Sequence, residues 1–519
     1  MGERVKKSIL NAEINLLFYF LTLFLTFFSR KVFLDNLGAD FIGLTGTLSN
    51  FLGYMNLAEL GIGSCISFFL YKPLQSNHQE TINELLSVFG YLYRCIGYII
   101  LIAGIILSLF FPFIFHDNEL GFGIVYFAFY SILASSLIGY FINYRQILLT
   151  ADQKGYIVAI YFQSARMVRI ALQIYLALRF KNLFVWVAIE FLFSLLGCII
   201  LNWKIDKEYP WIKANKNVGK ALLKKYPTIL TNTQQIFIHK IKDFILNKSD
   251  ELFVFLFVSL KMVAYYGNYT MIVAKTGLLF SSVLDSTYAG VGNLIAEGNK
   301  QNIMKVFWEL MTIRHFVAGF LCFVIYHFIE PFISIWLGPK YILDHNILLL
   351  LCIHIYISTS RGVVDMYNHS HGLYADVWAA WTELILNVTI TLIAGYYLGI
   401  VGILLGKVVS TLLIIVLWKP YYLFHSGLHE SYRSYWNGAI RNFFVSFMSI
   451  AVAHNIITTF VSINAATGYL PWVYYCLTGI SIYLTLNLLL TRLFCKGAVD
   501  CAARISNIVN SKFYRKKSE

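Results

Sequence analysis

Charged and polar residues occur at helical spacing within a long apolar run near residue 360. His354, Ser358, Arg361 and Asp365 stand at i, i+4, i+7 and i+11, which places them within about 60° of one another on an α-helix. A guanidinium group matches the geometry of phosphate, and a carboxylate beside it can pair with it or bind a coupling ion. The stripe is therefore a candidate surface for an anionic ligand.

Four further apolar runs carry stripes of the same kind. Their members are Asp376, Glu383, Asn387 and Thr391; Gln163, Arg166, Arg169 and Gln173; Asn268, Lys275, Ser282 and Ser286, with Asp285 beside them; and His239, Asp243, Asn247 and Asp250. Any one of these residues could simply join two helices, and Arg361 and Asp365 could neutralise each other as an i, i+4 pair. Five stripes in one chain favour a hydrated central cavity over that simpler interpretation.

The basic residues within these runs predict an anionic substrate. The candidate substrate-binding residues are Arg166, Arg169, Lys240, Lys275, Arg314 and Arg361. Carboxylates are interspersed with them, and these either pair with the cations or bind a coupling H⁺ or Na⁺. The candidates for that second role are Glu59, Asp243, Asp250, Asp365 and Glu383.

Glu59 stands alone in the apolar stretch LAELGIGSCISFFLYKP, two residues before a Gly-x-Gly at 61 and 63. One hypothesis is that Glu59 faces the cavity and orients a cation or carries the coupling proton. The other is that Glu59 pairs with a neighbouring Arg or Lys at a tight helix crossing, which Gly61 and Gly63 would permit. The sequence leaves both hypotheses open.

The composition shows which elements must position these residues. Of 519 residues, 58% are hydrophobic and 13% are charged, whereas soluble proteins carry about 25% charged residues. The mean hydropathy is +0.66, so lipid must be the solvent for most of the surface. We predict an all-α polytopic membrane protein with fourteen transmembrane helices. The predicted spans are 9–29, 41–70, 82–114, 120–149, 155–178, 183–203, 229–257, 262–296, 303–336, 342–367, 373–396, 400–423, 438–463 and 469–495.

The distribution of Lys and Arg orients the spans. Basic residues collect in the N-terminal segment, in the linker after residue 203 and in the tail, so both termini should be cytoplasmic. Weak likenesses between the two sides of the linker, such as Pro-Phe-Ile at 112–114 and 331–333, favour a parallel repeat with a site between the halves. The predicted domains are an N-terminal six-helix bundle (1–203), a basic linker (204–228), a C-terminal six-helix bundle (229–423), two further helices (424–495) and a basic tail (496–519).

Signals of enzyme activity are missing from the sequence. It has no GxxxxGK[ST] phosphate loop, no HExxH and no GxSxG. Its eight cysteines form no CxxC pair, and His369 and His371 do not converge on a helix, so we expect no metal site and no cofactor. The net charge of +14 could suit nucleic acid, but the basic residues lie in short loops beside apolar runs. These observations favour a transporter that binds no nucleic acid.

Several stretches resemble the Wzx-type flippases of polysaccharide export, in the MOP superfamily that also contains the MATE drug exporters and the lipid II flippases. The most specific are LAELGIGSCISFFLYKPL (57–74) and NYRQILLTADQKGY (143–156). The others are DNLGADFIGLTGTL (35–48), SDELFVFLFVSLKMVAYYGNYTMI (249–272) and PFISIWLGPKY (331–341). The resemblance extends over nearly the whole chain.

This resemblance implies two bundles around a cationic cavity in the bacterial cytoplasmic membrane. The implied substrate is an undecaprenyl-diphosphate-linked oligosaccharide, as used for O-antigen, lipopolysaccharide or capsule. It would be moved by alternating access coupled to an ion gradient, and other polysaccharide-assembly proteins are possible partners. The acidic position ahead of Leu-Gly in the family's second helix matches Glu59.

Three alternatives remain open on the sequence. A MATE-type drug or cation antiporter would want a mostly acidic cavity and usually twelve helices. A lipid II flippase would perform the same chemistry on a fixed substrate. A membrane glycosyltransferase or polymerase would need a catalytic carboxylate in a sizeable outer loop, and the loops here are short.

Overall fold

The computed structural model of the chain is helical almost throughout, and its described residues contain no β-strand. The structure describes residues 2–59, 62–116, 119–152, 154–230, 233, 246, 249–373, 375–495 and 497–504. Within this part, eleven helices are long and apolar enough to cross a membrane. The predicted all-α polytopic fold is thereby confirmed, and the chain is a multi-pass membrane protein. The predicted spans 41–70 and 262–296 are not among the eleven, and most of the predicted span 229–257 lies outside the described residues.

The Cα positions divide into two compact units. The first contains residues 1–255 and 259–264, and the second contains 256–258 and 265–519. The helices of the first unit are α1 (Gly2–Leu37), α2 (Ala39–Met55), α3 (Ile62–Gln75), α4 (Gln79–Leu109), α5 (Phe111–Ile114), α6 (Phe122–Phe141), α7 (Gln146–Ala151), α8 (Gly155–Phe180), α9 (Leu183–Glu208) and α10 (Gly219–Leu223). Residues 249–257 are also helical, and Asn50 of α2 donates to Glu251 at 2.8 Å.

The second unit repeats this all-helical construction. Its helices are α11 (Leu260–Leu284, which begins in the first unit), α12 (Tyr288–Glu297), α13 (Lys300–Trp336), α14 (His345–Ser360), α15 (Gly362–Ser370), α16 (Val377–Leu398), α17 (Ile400–Thr411), α18 (Lys419–Tyr422), α19 (Tyr432–Phe460) and α20 (Tyr469–Phe494). Residues 497–504 form a further helical segment. The predicted boundaries at 203, 228, 423 and 495 stay predictions.

Several spans predicted as continuous helices are interrupted. A 3-10 turn at Asn56–Glu59 divides the predicted helix 41–70, and another at Asp285–Thr287 divides 262–296. The predicted helix 82–114 breaks at Phe110 because Pro112 has no N–H to donate to the carbonyl of Ser108. That carbonyl accepts from the Tyr126 hydroxyl at 3.2 Å, so the break leaves no orphaned acceptor there.

The other interruptions lie at Asn143–Arg145, at Arg361 and in two π-helical segments, Leu412–Trp418 and Leu423–Leu428. Hydrophobic patterning predicts where a chain is apolar but not where its backbone changes pitch. Composition alone therefore gave the prediction of continuous helices, which is wrong at these places.

An ionic contact closes the helical hairpin α8–α9 of the first unit. Lys154, just before α8, lies 2.9 Å from Glu208 at the end of α9 and 2.8 Å from Asp152. Burial lowers the pKa of Lys154, but its bonds to Asp152 and Glu208 outweigh burial and raise it above its usual value. Burial and the hydrogen bond to Asp152 raise the pKa of Tyr209. Lys154 is thus charged and paired at neutral pH.

The second unit closes the corresponding hairpin with the charges reversed. Asp376, just before α16, lies 2.7 Å from Lys419 at the start of α18 and accepts from the Trp418 indole at 3.1 Å. Each hairpin is therefore closed by its own ion pair, which joins the residue before the first helix to a residue late in the second span. In the sequence, a tyrosine lies within two residues of the position before each first helix, Tyr156 after Lys154 and Tyr374 before Asp376.

Small residues set the close approach of α16 and α17. The turn between them is Gly399, whose φ of 58° favours glycine. A Cβ at Gly402 would lie 1.9 Å from the Ala394 carbonyl oxygen, and one at Gly406 would lie 2.3 Å from Thr391 Oγ1. Two glycines four residues apart thus let the two backbones touch, as at other close crossings of membrane helices.

The segment at 497–504 is bound to α13 by a buried carboxylate. Arg504 Nε and Nη2 lie 2.9 and 3.2 Å from the two oxygens of Glu309, whose side chain is 5% exposed. Gly497 packs against α13, where a Cβ would lie 2.3 Å from the Trp308 carbonyl oxygen. The bidentate pair satisfies a carboxylate that would otherwise be buried without a counter-charge.

Replacing Arg504 by Ala should destabilise the protein by about 1–3 kcal/mol, because it removes the described counter-charge of Glu309. Unfolding of the purified chain by denaturant in detergent measures the effect. Lys305→Ala is the matched control, since it removes the more exposed pair with Asp500 on the same two elements and should cost about 1 kcal/mol or less. Equal effects of the two variants would contradict a special role for Glu309.

Candidate functional site

Glu59 is held by two tyrosine hydroxyls in the first unit. It ends the 3-10 turn between α2 and α3, and one carboxylate oxygen accepts from Tyr140 at 2.7 Å while the other accepts from Tyr93. The Tyr140 hydroxyl oxygen also lies 3.1 Å from Asn56 Oδ1, which accepts from Ser136 at 3.2 Å. The carboxylate is therefore fixed by neutral donors carried on α4 and α6.

This arrangement differs from the ion pair offered as the simpler hypothesis. Within the described part of the chain, no Arg or Lys pairs with Glu59. A Cβ at Gly63 would meet the Tyr93 hydroxyl oxygen at 3.7 Å, an ordinary contact, so Gly63 is not required there by close packing. Gly61 lies outside the described residues.

Arg169 is paired within the same unit. Its guanidinium on α8 contacts Glu190 on α9, and Gln173 donates to the other Glu190 oxygen at 3.1 Å. Arg166 is exposed, one turn earlier on α8, and forms no ion pair with any described residue. The two arginines of the predicted stripe therefore have different surroundings, one neutralised by Glu190 and one open.

Asp250 is buried in the first unit, at the start of the helical residues 249–257. Its neighbours include Tyr54 of α2, which lies within electrostatic range. The other two predicted residues of this region, Lys240 and Asp243, lie outside the described residues.

In the second unit, Arg314 and Asp285 form an ion pair across a helix break. Asp285 opens the 3-10 turn after α11, and the buried Arg314 on α13 donates to it at 2.7 Å. The Arg314 guanidinium lies against Gly362, where a Cβ would fall 1.9 Å from Nη1. Gly362 is therefore the position that makes room for Arg314.

Arg361 and Asp365 form the i, i+4 pair that the sequence suggests. Arg361 Nε lies 3.3 Å from Asp365, and both side chains are about one third exposed. Arg361 stands at the break between α14 and α15, next to the glycine that Arg314 covers. Tyr288 at the start of α12 lies within electrostatic range of this pair and of Arg314 and Asp285. Two arginines and two aspartates thus share one neutral cluster, which we call the second-unit charge cluster.

The stripe on α16 faces packed protein. Glu383, Asn387 and Thr391 are all buried, and Thr391 donates to the carbonyl of Ile403 on α17 at 3.3 Å. This side of α16 forms the close glycine contact with α17, so Asn387 and Thr391 join helices there.

Lys275 is half-buried on α11, and the neighbouring Gly277 contacts Ile355 of α14. His354 of α14 has Lys407 and Arg361 as its charged neighbours. Two basic groups, Lys407 and Arg361, therefore lie near His354, and Arg361 belongs to the second-unit charge cluster.

Sequence reasoning did not identify several hydrogen-bond and ion-pair partners of the predicted site residues. Tyr93 and Tyr140 are two of 35 tyrosines, and nothing in their spacing marks them as the donors to Glu59. Glu190 could have been found, because it is a lone acid within the apolar stretch LFVWVAIEFLF. The sequence marks Asp285 as an acid beside a polar stripe, but nothing in it identifies Asp285 as the partner of Arg314.

The described residues contain no group of three or more His, Cys, Asp or Glu that could hold a metal ion. Chemically, the two units offer a carboxylate held by hydroxyl donors and a set of arginine–aspartate pairs at helix breaks. The Arg361–Asp365 pair is about one third exposed and can therefore meet an anion, whereas Arg314 is buried against Gly362.

Comparison with solved structures identifies the fold. The chain is similar to the lipid II flippase MurJ in an inward closed conformation, with a TM-score of 0.63 and 16% identity over 93% of this chain and 99% of that one. It is also similar to an inward-facing multidrug resistance MATE family transporter of the MOP superfamily, with a TM-score of 0.54 and 14% identity over 86% of this chain and 98% of that one. The chain therefore has the fold of these transporters. No protein-family model matches the sequence, and no curated protein matches it.

A double-mutant cycle tests the hold on Glu59. Tyr93→Phe and Glu59→Gln should couple by about 1–2 kcal/mol in the free energy of unfolding, because the Tyr93 hydroxyl donates to a charged acceptor. Denaturant unfolding of the four proteins in detergent provides the measurement. Tyr98→Phe on the same helix is exposed and should be nearly neutral. Additive single effects would mean that the hydroxyl does not bind the carboxylate.

Gly362→Ala should destabilise the second unit by about 1–3 kcal/mol, because the new methyl group would overlap the Arg314 guanidinium. The same unfolding assay applies, with Gly277→Ala as control, since a Cβ there would meet its neighbour at 3.7 Å. Shortening the arginine with Arg314→Ala should remove most of the Gly362→Ala penalty. A penalty that persists in that background would place the clash elsewhere.

Proposed function

We propose that this chain is a flippase that moves an undecaprenyl-diphosphate-linked oligosaccharide across the bacterial cytoplasmic membrane by alternating access. The observation that carries the proposal is the combination of a transporter fold over 93% of this chain with charged helix breaks in both units, at Glu59 and at Asp285. A fold shared with a lipid II flippase suits a lipid carrier that bears a diphosphate. The sugar repeat unit comes from the resemblance of the sequence motifs.

Arginine is suited to the diphosphate because its planar guanidinium binds two phosphate oxygens at once. Arg361 lies 3.3 Å from Asp365, and both side chains are partly exposed, so an incoming diphosphate can compete with the carboxylate. Arg166 is exposed on α8 and needs no such exchange. In this proposal Arg166, Arg361 and Lys275 bind the substrate, and Arg169 and Arg314 position the helices through Glu190 and Asp285.

Glu59 is assigned the coupling role. A carboxylate held by two hydroxyl donors can take up a proton or a Na⁺ ion, and either event changes its bonds to Tyr93 and Tyr140. Those tyrosines belong to α4 and α6, so loading Glu59 would shift both helices relative to the break at Asn56–Glu59. We expect no other cofactor, and the remaining partners would be membrane lipid and other polysaccharide-assembly proteins.

A MATE-type drug or cation antiporter is the second candidate, and the structural likeness to such a transporter favours it. A cation substrate would use Glu59 and the aspartates directly, instead of their arginine partners. A lipid II flippase would use the same residues as the proposed function on a different headgroup. A membrane glycosyltransferase or polymerase is the weakest alternative, because nothing in the sequence supplies its catalytic loop.

The proposal is tested by measuring in which membrane leaflet the lipid-linked oligosaccharide accumulates in cells that lack the gene. Material trapped on the cytoplasmic leaflet, cleared when the gene is restored, is the expected result. Normal surface polysaccharide without a trapped intermediate would exclude this substrate. Rescue of lipid II flippase depletion, or drug efflux by the expressed chain, would then identify which alternative holds.

We expect transport to slow about tenfold or more in each of three variants, Arg166→Ala, Lys275→Ala and Arg361→Ala. Each substitution removes from the protein one charged donor that would form hydrogen bonds to the substrate. Initial rates in proteoliposomes loaded with the lipid-linked oligosaccharide give the measurement. Arg179→Ala, near the end of the same helix as Arg166, is the matched control and should transport normally. Three variants with normal rates would contradict an anion-binding role for these residues.

Glu59→Gln should abolish the response of transport to an imposed ion gradient, since glutamine cannot take up the coupling ion. Transport with and without a proton or Na⁺ gradient separates this from simple destabilisation. Full gradient dependence in Glu59→Gln would exclude Glu59 as the coupling group.

A further inference from the structure

The linker that follows α9 lies along α4. The backbone N–H of Lys213 donates to Asn83 Oδ1 at 2.7 Å, and that of Asn215 donates to Ser87 Oγ at 2.9 Å. Gly219 touches the same helix, since a Cβ there would lie 2.3 Å from the Ser87 carbonyl oxygen. These contacts fix the linker against the first half of α4, so its lysines occupy defined positions.

The linker carries an excess of positive charge that the described protein does not neutralise. Residues 204–225 include seven lysines and two acids. Asp206 pairs with Arg145, Glu208 pairs with Lys154 and Lys204, and Lys225 pairs with Glu84. The other five lysines form no ion pair with a described residue; they are Lys207, Lys213, Lys216, Lys220 and Lys224.

Exposed apolar side chains accompany these lysines. Trp203 at the end of α9 is 58% exposed, and the Lys207 ammonium lies 5.5 Å from its ring centroid. Val218 is 47% exposed between Lys216 and Lys220. A soluble surface facing water gains nothing from such side chains, whereas the headgroup level of a bilayer accommodates both tryptophan and lysine.

The position of the linker fits that environment. It begins where the membrane-spanning helix α9 ends, and it rests on the first half of α4, which is also a candidate membrane span. The five lysines therefore lie beside the end of two spans, within reach of the headgroups of the adjoining leaflet. Trp203 and these lysines together form what we call the linker face.

We propose that the linker face binds anionic phospholipid headgroups of the leaflet that it adjoins. Several lysines beside the end of a span attract negatively charged headgroups, and their attractions add across the surface. The flexible ammonium groups suit scattered phosphates better than one defined ligand. This binding does not depend on the transported substrate, so it can be tested apart from the proposed function.

Titration of the purified full chain in neutral detergent tests the proposal, with bound lipids counted by native mass spectrometry. Phosphatidylglycerol should bind about tenfold or more tightly than phosphatidylcholine of the same acyl chains. Replacing all five lysines by Gln should remove this preference, and replacing them by Arg should keep it. Lys181→Gln, at the opposite end of α8 from the linker, should leave the preference unchanged.

Raising the salt to about 1 M shortens the Debye length to about 3 Å and should weaken the lipid preference of the unaltered protein. This measurement tests the proposal even if the variant with five Lys→Gln substitutions does not fold. A phosphatidylglycerol preference that survives in the Gln variant would overturn the proposal. Full displacement of the lipid by inorganic pyrophosphate would also overturn it, because it would identify a diphosphate site. Lysine-dependent binding of a short RNA without any lipid preference would assign the face to nucleic acid.

Discussion

A charged side chain inside a bilayer must find a partner, because hydrocarbon supplies neither water nor counter-ions. Charged pairs follow this constraint in both units. Arg169 meets Glu190 between α8 and α9, and Arg314 meets Asp285 across a helix break. Glu190 and Asp285 are thus the groups that make these two arginines tolerable inside the membrane spans.

Two charged residues of the candidate sites, Glu59 and Asp285, lie at breaks in the helices. A continuous helix satisfies its own backbone and holds its side chains in fixed register, whereas a break exposes backbone groups and is tolerated only beside protein or water. Glu59 and Asp285 both lie in 3-10 turns, one in each unit. Glu59 accepts hydrogen bonds from neutral tyrosines, and Asp285 pairs with a buried arginine. A carboxylate at a helix break therefore has a partner in each unit, but the two partners differ in charge.

Contacts at the helix ends set the geometry within each unit. The Lys154–Glu208 pair and the reversed Asp376–Lys419 pair close equivalent hairpins, and Gly402 and Gly406 bring α16 against α17. The linker on α4 and the segment at 497–504 on α13 add further attachments through polar contacts rather than apolar burial. Such attachments are directional, and they fix the register of elements whose apolar surfaces could slide.

The sequence by itself determined the all-helical membrane fold, because its apolar runs have the length of a bilayer and its few charges recur at helical spacing. It also offered the Arg361–Asp365 pair as one of two interpretations, since an i, i+4 contact is local. Only the tertiary structure decided that Glu59 meets Tyr93 and Tyr140, that Arg314 fits over Gly362 and that Glu309 meets Arg504. These contacts join residues from 34 to 195 positions apart. Hydrophobic periodicity describes one helix at a time, so it carries no information about which helices pack together or where their backbones break.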